Sequence, residues 1–176
     1  DKCLYEPLTI SIASSFNLIS TYTAEIKAVN KAIEKTLKGL DPAAYQCLLS
    51  IPGIGPVMAA GILSEIGWID AFKSQESLAK YTSLIWRENQ SGNYRADDTP
   101  MSKAGNAYLR YYLLEATSHV KNHCQEFAAF YQKKYAEVKT HQHKCALTLT
   151  IQKFIQPILE SLVKHQLYSS NRVIQA

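Results

Sequence analysis

The sequence predicts an all-α fold, with a helical domain preceded by a long coiled-coil-like helix. Apolar residues recur at intervals of three and four over most of the chain, which is the period of helices with one buried face. No segment alternates apolar and polar residues between hairpin turns, as a half-buried sheet would. Of the 176 residues, 47% are hydrophobic and 19% are charged, so the composition is that of a globular protein rather than a disordered one.

The first predicted helix runs from about Thr9 to Leu40. Its apolar residues follow a narrow heptad-like seam: Ile19, Tyr22, Ile26, Val29, Ile33 and Leu40. Such a seam favours a coiled coil or a long antiparallel hairpin, the alternative being a core helix of the same domain. We therefore assign residues 1–40 to a coiled-coil or linker helix and residues 41–176 to a helical domain.

A helical hairpin follows, with predicted helices over Ala43–Ser50 and Val57–Ile66. Asp41 and Pro42 are a typical N-cap and first helical residue. The turn Ile51–Pro56 contains Gly53 and Gly55, which allow positive φ or a close backbone approach. Because free amides at a helix start attract phosphate, we predict that both glycines bind a nucleic-acid backbone. The alternative is a tight connector between two helices.

The rest of the chain is expected to add four helices and one long irregular segment. Ser74 resembles an N-cap for a helix that ends near Tyr81, and Ser102 resembles the N-cap of a later one. Thr82–Met101 has no regular period and is predicted to be an ordered loop or a short hairpin. The helix after Ser102 is expected over residues 103–122, with Lys103–Asn106 as its first turn. Two further helices are expected over residues 125–138 and 144–168.

Basic and hydroxyl side chains are concentrated in this loop and at the start of the next helix. We predict that the backbone phosphates of a nucleic acid contact Arg87, Arg95, Lys103, Asn106 and Arg110. The last three are spaced to lie on one helix face. A serine in such a setting can attack a phosphodiester when a base, a metal or cations assist it, so the candidate nucleophiles are Ser91 and Ser102. The alternatives are a turn residue and a simple N-cap.

Other features restrict the class of protein. The net charge of +4 is compatible with nucleic-acid binding but is weak support for it. Histidine and cysteine lack the spacing of a complete zinc site, so no metal site is predicted. The scattered cysteines are expected to be free thiols. We expect a cytoplasmic protein without a membrane span or signal peptide, and, since the first residue is not Met, a part of a longer chain.

The order of several motifs resembles one protein family. The segments SIPGIGPVMAAGILSEIG, LAKYTSL, WRENQSG and MSKAGNAYLRYYLLEAT follow one another over about Leu48–Thr117. They resemble the C-terminal half of DEDD-type insertion-sequence transposases, which include the pilin-gene DNA invertase and bridge-RNA-guided recombinases. The hairpin itself resembles the helix-hairpin-helix motif of DNA-binding proteins. Two departures are Thr82-Ser83, where the family often has Gly-Leu, and Asp97-Asp98-Thr99, which replaces a stretch that is often basic.

The resemblance implies a function in DNA transposition or site-specific recombination. In the family this helical half supplies a serine that forms a covalent link to DNA, and Ser91 matches the family's Ser-Gly motif better than Ser102 does. A separate ribonuclease-H-like half binds divalent metal, expected to be Mg²⁺, so no cofactor is expected in this part and it should be inactive alone.

The implied partners are DNA, a structured guide RNA and further copies of the chain in a dimer or tetramer. Two alternatives stay open. One is a non-catalytic helix-hairpin-helix module that only binds DNA or RNA, and the other is an oligomerisation scaffold built from the first helix.

Overall fold

The computed structural model describes residues 2–85, 90–91, 94–95, 102 and 104–169. The chain divides into two compact units, Asp1–Leu40 and Asp41–Ala176. The described residues form seven α-helices, and their strands are a single pair of two residues each. The predicted all-α class is therefore confirmed. Within these described ranges, no helix combines the length and apolar character needed to cross a membrane.

The first unit is one helix, α1, which spans Lys2–Leu40 and so begins earlier than predicted, with Pro7 inside it. Hydroxyl side chains bond back to carbonyls one turn earlier, as in Thr21 to Asn17, and Lys38 pairs with Glu34 at 2.6 Å. The large apolar side chains along most of its length are exposed. Packing within the unit therefore leaves the apolar seam of α1 in contact with solvent.

The second unit is a helical domain in which α5 and α7 make most of the connections. Its helices are α2 (Pro42–Leu49), α3 (Pro56–Ile66), α4 (Gln75–Tyr81), α5 (Ala107–His123), α6 (Gln125–Glu137) and α7 (Gln142–Lys164). Helix α7 packs against α2, α4, α5 and α6, while α5 also packs against α3 and α6. Phe127 of α6 and Phe154 of α7 meet edge to face at 5.4 Å in the core. Helix α3 therefore packs on α5, and helix α4 packs on α7.

Local sequence explains the starts of α2 and α4. The Asp41 carboxylate accepts a hydrogen bond from the Ala44 amide at 2.9 Å, and Pro42 occupies the first turn of α2. Ser74 and Ser77 exchange side-chain and backbone hydrogen bonds in a capping box at the start of α4. The predicted N-caps Asp41 and Ser74 are confirmed, because each depends on a hydrogen bond within three residues.

The predicted start of α5 is wrong. Ser102 is not an N-cap, since α5 begins at Ala107 and its N-cap is Asn106, whose Oδ1 accepts hydrogen bonds from the Tyr108 and Leu109 amides. The backbone N–H of Asn106 donates to the Tyr81 carbonyl at 2.8 Å, and this bond holds Asn106 against the end of α4. Asn106 is therefore the residue that precedes the helix and does not share a helix face with Arg110 as predicted, while the prediction for Lys103 lies outside the described residues.

The end of α7 also differs from the prediction. The helix stops at Lys164 because His165 adopts a left-handed conformation with φ +47°. The chain then turns back, and the Tyr168 amide donates to Ser50 Oγ at 2.7 Å. Helix α7 therefore ends earlier than its apolar periodicity indicated, and the chain after it contacts the end of α2.

The irregular segment between α4 and α5 contains a short antiparallel hairpin. Strand β1 is Gln90–Ser91 and strand β2 is Tyr94–Arg95, with Gln90 opposite Arg95 and Ser91 opposite Tyr94. Of the two predicted alternatives, the short hairpin is the observed one.

Candidate nucleic-acid interface

The turn between α2 and α3 has one face packed into the domain. Ile51 and Ile54 are buried. Gly53 has φ +99°, and a Cβ on it would lie 2.8 Å from the Val120 backbone nitrogen of α5. Only glycine combines this left-handed backbone with so close an approach. Gly53 therefore packs closely on α5, which agrees with the alternative that the turn is a tight connector between two helices.

The other face of the turn is open. Gly55 is the N-cap residue of α3 in an extended conformation, and a Cβ on it would meet nothing within 4 Å. Pro52, Pro56 and Val57 are exposed around it. No side chain caps α3, and the first amides of a helix have no partner within that helix. The geometry at Gly55 is thus compatible with an anionic ligand, whereas Gly53 faces the protein.

The residues before α5 form a second close contact. Gly105 and Asn106 pack against residues 81–83, and we call this contact the clamp. The backbone N–H of Gly105 donates to Ser83 Oγ, and the backbone N–H of Asn106 donates to the Tyr81 carbonyl. A Cβ on Gly105 would overlap the Tyr81 carbonyl oxygen and approach the Ser83 backbone nitrogen within 2.8 Å. Because two backbone atoms limit the space, the clamp requires glycine at this position.

Asn106 uses its whole side chain inside the protein. Its Nδ2 donates to Glu65 Oε2 of α3 at 2.8 Å and to the Tyr81 hydroxyl of α4 at 3.1 Å. Its Oδ1 caps α5 through two backbone amides at 2.9 Å. One side chain therefore ties three helices together, which is a structural role that the predicted phosphate contact did not anticipate.

Arg110 has a similar internal partner. Its guanidinium donates to the Thr82 carbonyl at 3.0 Å, and Thr82 is fully buried at the end of α4. A contact of Arg110 or Asn106 with nucleic acid stays a prediction, and such a contact would have to form while these internal bonds are kept.

Glu65 and Tyr81 were not predicted from the sequence as partners of Asn106. Glu65 lies within the EIG segment that was quoted for the resemblance, and this was the available signal.

A cleft lies between the end of α4 and the start of α5. Its volume is about 700 Å³, and its lining includes Lys80, Tyr81, Ser83, Ile85, Ser102, Asn106 and Tyr108. Ser102 is half-buried there, whereas Tyr108 is 72% exposed. The structure thus brings Ser102 and Asn106 together with two aromatic rings and a lysine, none of which was predicted as a site residue.

Several predicted site residues cannot be placed at the cleft. Ser91 lies in β1 and Arg95 in β2, and their side chains are outside the described structure. Arg87 and Lys103 lie outside the described residues altogether. Their predicted roles as nucleophile or phosphate ligands therefore stay predictions.

The described part of the chain holds no group of three or more histidine, cysteine, aspartate or glutamate residues arranged to bind a metal. His143 instead hydrogen-bonds the Tyr131 hydroxyl at 2.7 Å through Nδ1, and His141 precedes α7 as its N-cap residue. Cys47, Cys124 and Cys145 are free thiols, as predicted. Burial, with a smaller contribution from the Asp41 carboxylate, raises the pKa of Cys47 and so disfavours its reactive thiolate.

The part of the chain that contains the turn, the clamp and the cleft is similar to known proteins. The model of the transposase IS116/IS110/IS902 family matches residues 45–132, which is half of the chain. The transposase for insertion sequence element IS1111A of Coxiella burnetii is 32% identical over 125 residues, covering 69% of this chain and 30% of that protein. A probable family 20 transposase of Pseudomonas aeruginosa is 27% identical over 106 residues, covering 60% of this chain and 30% of that protein. The chain therefore spans about 30% of the length of these curated relatives.

Proposed function

Because the chain belongs to the IS116/IS110/IS902 transposase family, we propose that it is the part of a DNA transposase that binds nucleic acid and supplies a serine nucleophile. One observation carries the proposal. The family match at residues 45–132 includes the turn between α2 and α3, the clamp, the cleft and both candidate serines. A match over such a continuous block is more specific than an isolated motif, because a short motif also occurs by chance.

The proposed step is a transesterification. The serine hydroxyl oxygen bonds to a DNA phosphorus while the bond from that phosphorus to one deoxyribose oxygen breaks, and the serine proton goes to a base. The leaving oxygen takes up a proton as a free hydroxyl. The phosphoserine ester keeps the energy of the original linkage, so attack by another DNA hydroxyl rejoins a strand and releases the serine.

We take Ser91 as the first candidate nucleophile and Ser102 as the second. Ser91 is supported by the Ser-Gly sequence, and Ser102 by its place at the cleft beside Lys80. Nearby cations stabilise the charge that develops on phosphate oxygens. In line with the resemblance, we propose that divalent metal is held by a separate acidic domain of the complete transposase.

The test is substitution of each serine in the complete transposase. We expect Ser91→Ala to reduce recombination and covalent protein–DNA adducts to background. A matched control is Ser64→Ala, because Ser64 also lies within the family match and its hydroxyl donates to the Gly61 carbonyl of its own helix, α3. Recombination near wild type in both Ser91→Ala and Ser102→Ala would eliminate the serine mechanism.

A second candidate function is a module that binds DNA or RNA without catalysis. The open face at Gly55 favours it, because this face offers helix amides but no nucleophile. The two functions differ in their products. Absence of any covalent adduct from the complete protein under turnover conditions, together with retained DNA binding, would favour the binding module.

We also propose that a structured guide RNA is a partner in the complete complex.

We further propose that α1 assembles the protein into a dimer or tetramer. Ile19, Tyr22 and Ile26 of the heptad seam are 60%, 64% and 61% exposed. Ile26→Glu should lower the assembly state in sedimentation, because it places a charge in the seam. Ala24→Glu is the control, since Ala24 is exposed on α1 away from the seam. Equal sedimentation of both variants would contradict the assembly role of α1.

A further inference from the structure

We propose that the cleft between α4 and α5 binds one unpaired nucleobase of a nucleic-acid strand, stacked on Tyr108 and Tyr81 with an adjoining phosphate near Lys80. The inference rests on the proposed nucleic-acid function and adds to it a binding subsite with a defined ligand. Unpaired bases are commonly recognised by stacking on exposed aromatic side chains, because every base offers a flat π-face.

The size and lining of the cleft fit this ligand. Its volume of about 700 Å³ lies within the range of ~300–1,000 Å³ that is typical of pockets for small organic molecules. Ile85, Ala104 and Ala107 supply apolar surface, and Ser83 and Ser102 supply hydroxyl groups. An apolar wall with a few polar groups suits a base that presents both a ring face and a hydrogen-bonding edge.

One of the two aromatic rings is held in place before any ligand arrives. The Tyr81 ring packs against Phe72 at a centroid distance of 5.2 Å, and its hydroxyl accepts a hydrogen bond from Asn106 Nδ2 at 3.1 Å. The side chain is nevertheless 41% exposed. Since its rotamer is already restricted, stacking on it costs little further conformational entropy.

Tyr108 has the opposite character. It lies in the first turn of α5 at the lip of the cleft and is 72% exposed, although its position next to Asn106 is set by the N-cap hydrogen bond to its amide. A large aromatic side chain with so much exposed surface loses apolar hydration when a base covers it. The backbone is thus fixed while the ring is accessible.

The charge around the cleft also agrees with a nucleic-acid strand. Lys80 is exposed beside Tyr81, on the last turn of α4. By contrast, the lining of a smaller pocket beside α6 and α7 includes the carboxylates of Glu126 and Glu160 and one lysine, Lys153, which pairs with Glu126 at 2.7 Å. The described lining of the cleft at α4 and α5 has a lysine and no carboxylate, so the cleft is the better site for a phosphodiester backbone.

The first experiment uses the chain and a short single-stranded oligodeoxynucleotide that contains 2-aminopurine, whose fluorescence reports stacking. We expect Tyr108→Leu to weaken binding about fivefold to a hundredfold and to reduce quenching, whereas Tyr108→Phe stays within about twofold. The control is Tyr111→Leu, because Tyr111 is 58% exposed on the same helix but does not line the cleft. The same oligonucleotide as RNA tests whether the strand is DNA or RNA, and binding of either that depends on Tyr108 supports the proposal.

A second pair of variants tests the phosphate position. Lys80→Gln should weaken single-strand binding and reduce the slope of log affinity against log salt by about one contact. Lys73→Gln, an exposed lysine outside the cleft, should leave the slope unchanged.

Three results would overturn the inference: equal losses in Tyr108→Leu and Tyr111→Leu, equal losses in Tyr108→Leu and Tyr108→Phe, or an equal loss for a duplex of the same sequence. Retained binding that is insensitive to Tyr108 contradicts the subsite alone. Failure of the wild-type chain to bind any single strand or duplex contradicts the proposed nucleic-acid function as well.

Discussion

Helices α3 and α5 both begin directly after a glycine-containing segment, but their starts are built in different ways. Gly55 at the start of α3 provides no side-chain cap, and the space beside it is open. Asn106 at the start of α5 caps two amides and also bonds to Glu65 and the Tyr81 hydroxyl. The first start leaves its amides to an external partner, whereas the second satisfies its polar groups within the domain.

The comparison shows that a polar residue in a basic segment need not be a ligand contact. Asn106 and Arg110 were predicted to hold phosphates, yet both make hydrogen bonds that fasten α5 to α4. The surfaces that we propose for nucleic acid are therefore the outer face of the turn and the cleft that the clamp borders. Predictions at four residues test this division of roles.

The largest effect is expected for Gly53→Ala. The new Cβ would approach the Val120 backbone nitrogen to 2.8 Å at a residue whose φ is +99°, so both overpacking and backbone strain oppose it. We expect the free energy of unfolding to fall by about 3 kcal/mol. Urea denaturation measures it. Gly55→Ala is the control and should change stability by less than about 1 kcal/mol. Similar losses in both variants would contradict the assignment of Gly53 to the packed face of the turn and of Gly55 to its open face.

Asn106→Ala should be the next most destabilising change, by about 2–3 kcal/mol, since it removes an N-cap and a hydrogen bond to a carboxylate. Asn106→Asp separates the two contributions. It retains the cap but places a second carboxylate beside Glu65, where the donor now lies at 2.8 Å.

The pH dependence of Asn106→Asp has a defined sign. Repulsion between the two carboxylates costs stability only where both are ionised, so the variant should be closest to the wild type at acidic pH and should lose stability relative to it as the pH rises to neutral. Denaturation of this variant and the wild type at acidic and neutral pH measures the difference. A loss that is independent of pH would show that Glu65 and residue 106 are not neighbours.

Arg110→Ala tests whether this arginine has the internal role. Loss of its hydrogen bond to the buried Thr82 carbonyl should reduce the free energy of unfolding by about 1–2 kcal/mol. Thermal unfolding without any nucleic acid measures this loss. A residue that only contacts phosphates would show unchanged stability and reduced DNA affinity, which is the result that would reverse our assignment.

The smallest effect on stability is expected for Val57→Glu at the open start of α3. A carboxylate there interacts favourably with the helix dipole, so stability should rise by up to about 0.5 kcal/mol. It should nevertheless weaken DNA binding several-fold by repelling phosphate at the turn. Val57→Gln is the uncharged control, since Val57 is 42% exposed and accepts either side chain. Equal DNA affinity for the two variants would mean that the turn does not face a phosphate.

Local features were predictable wherever a few neighbouring residues determine them. The caps at Asp41 and Ser74 each depend on a hydrogen bond within three residues. The start of α5 was not predictable in this way, because the contacts of Asn106 with Tyr81 and Glu65 join residues 25 and 41 positions apart.

The sequence by itself determined the helical class, several helix caps and, through the motif order at about Leu48–Thr117, the resemblance to a transposase family. Period, capping and motif order are local or linear properties, and they can be read without coordinates. Only the tertiary structure decided that Gly53 faces α5 while Gly55 faces solvent, and that Tyr81, Ser102 and Tyr108 border one cleft. These arrangements depend on how α3, α4 and α5 pack, and packing brings together residues whose proximity no local pattern encodes.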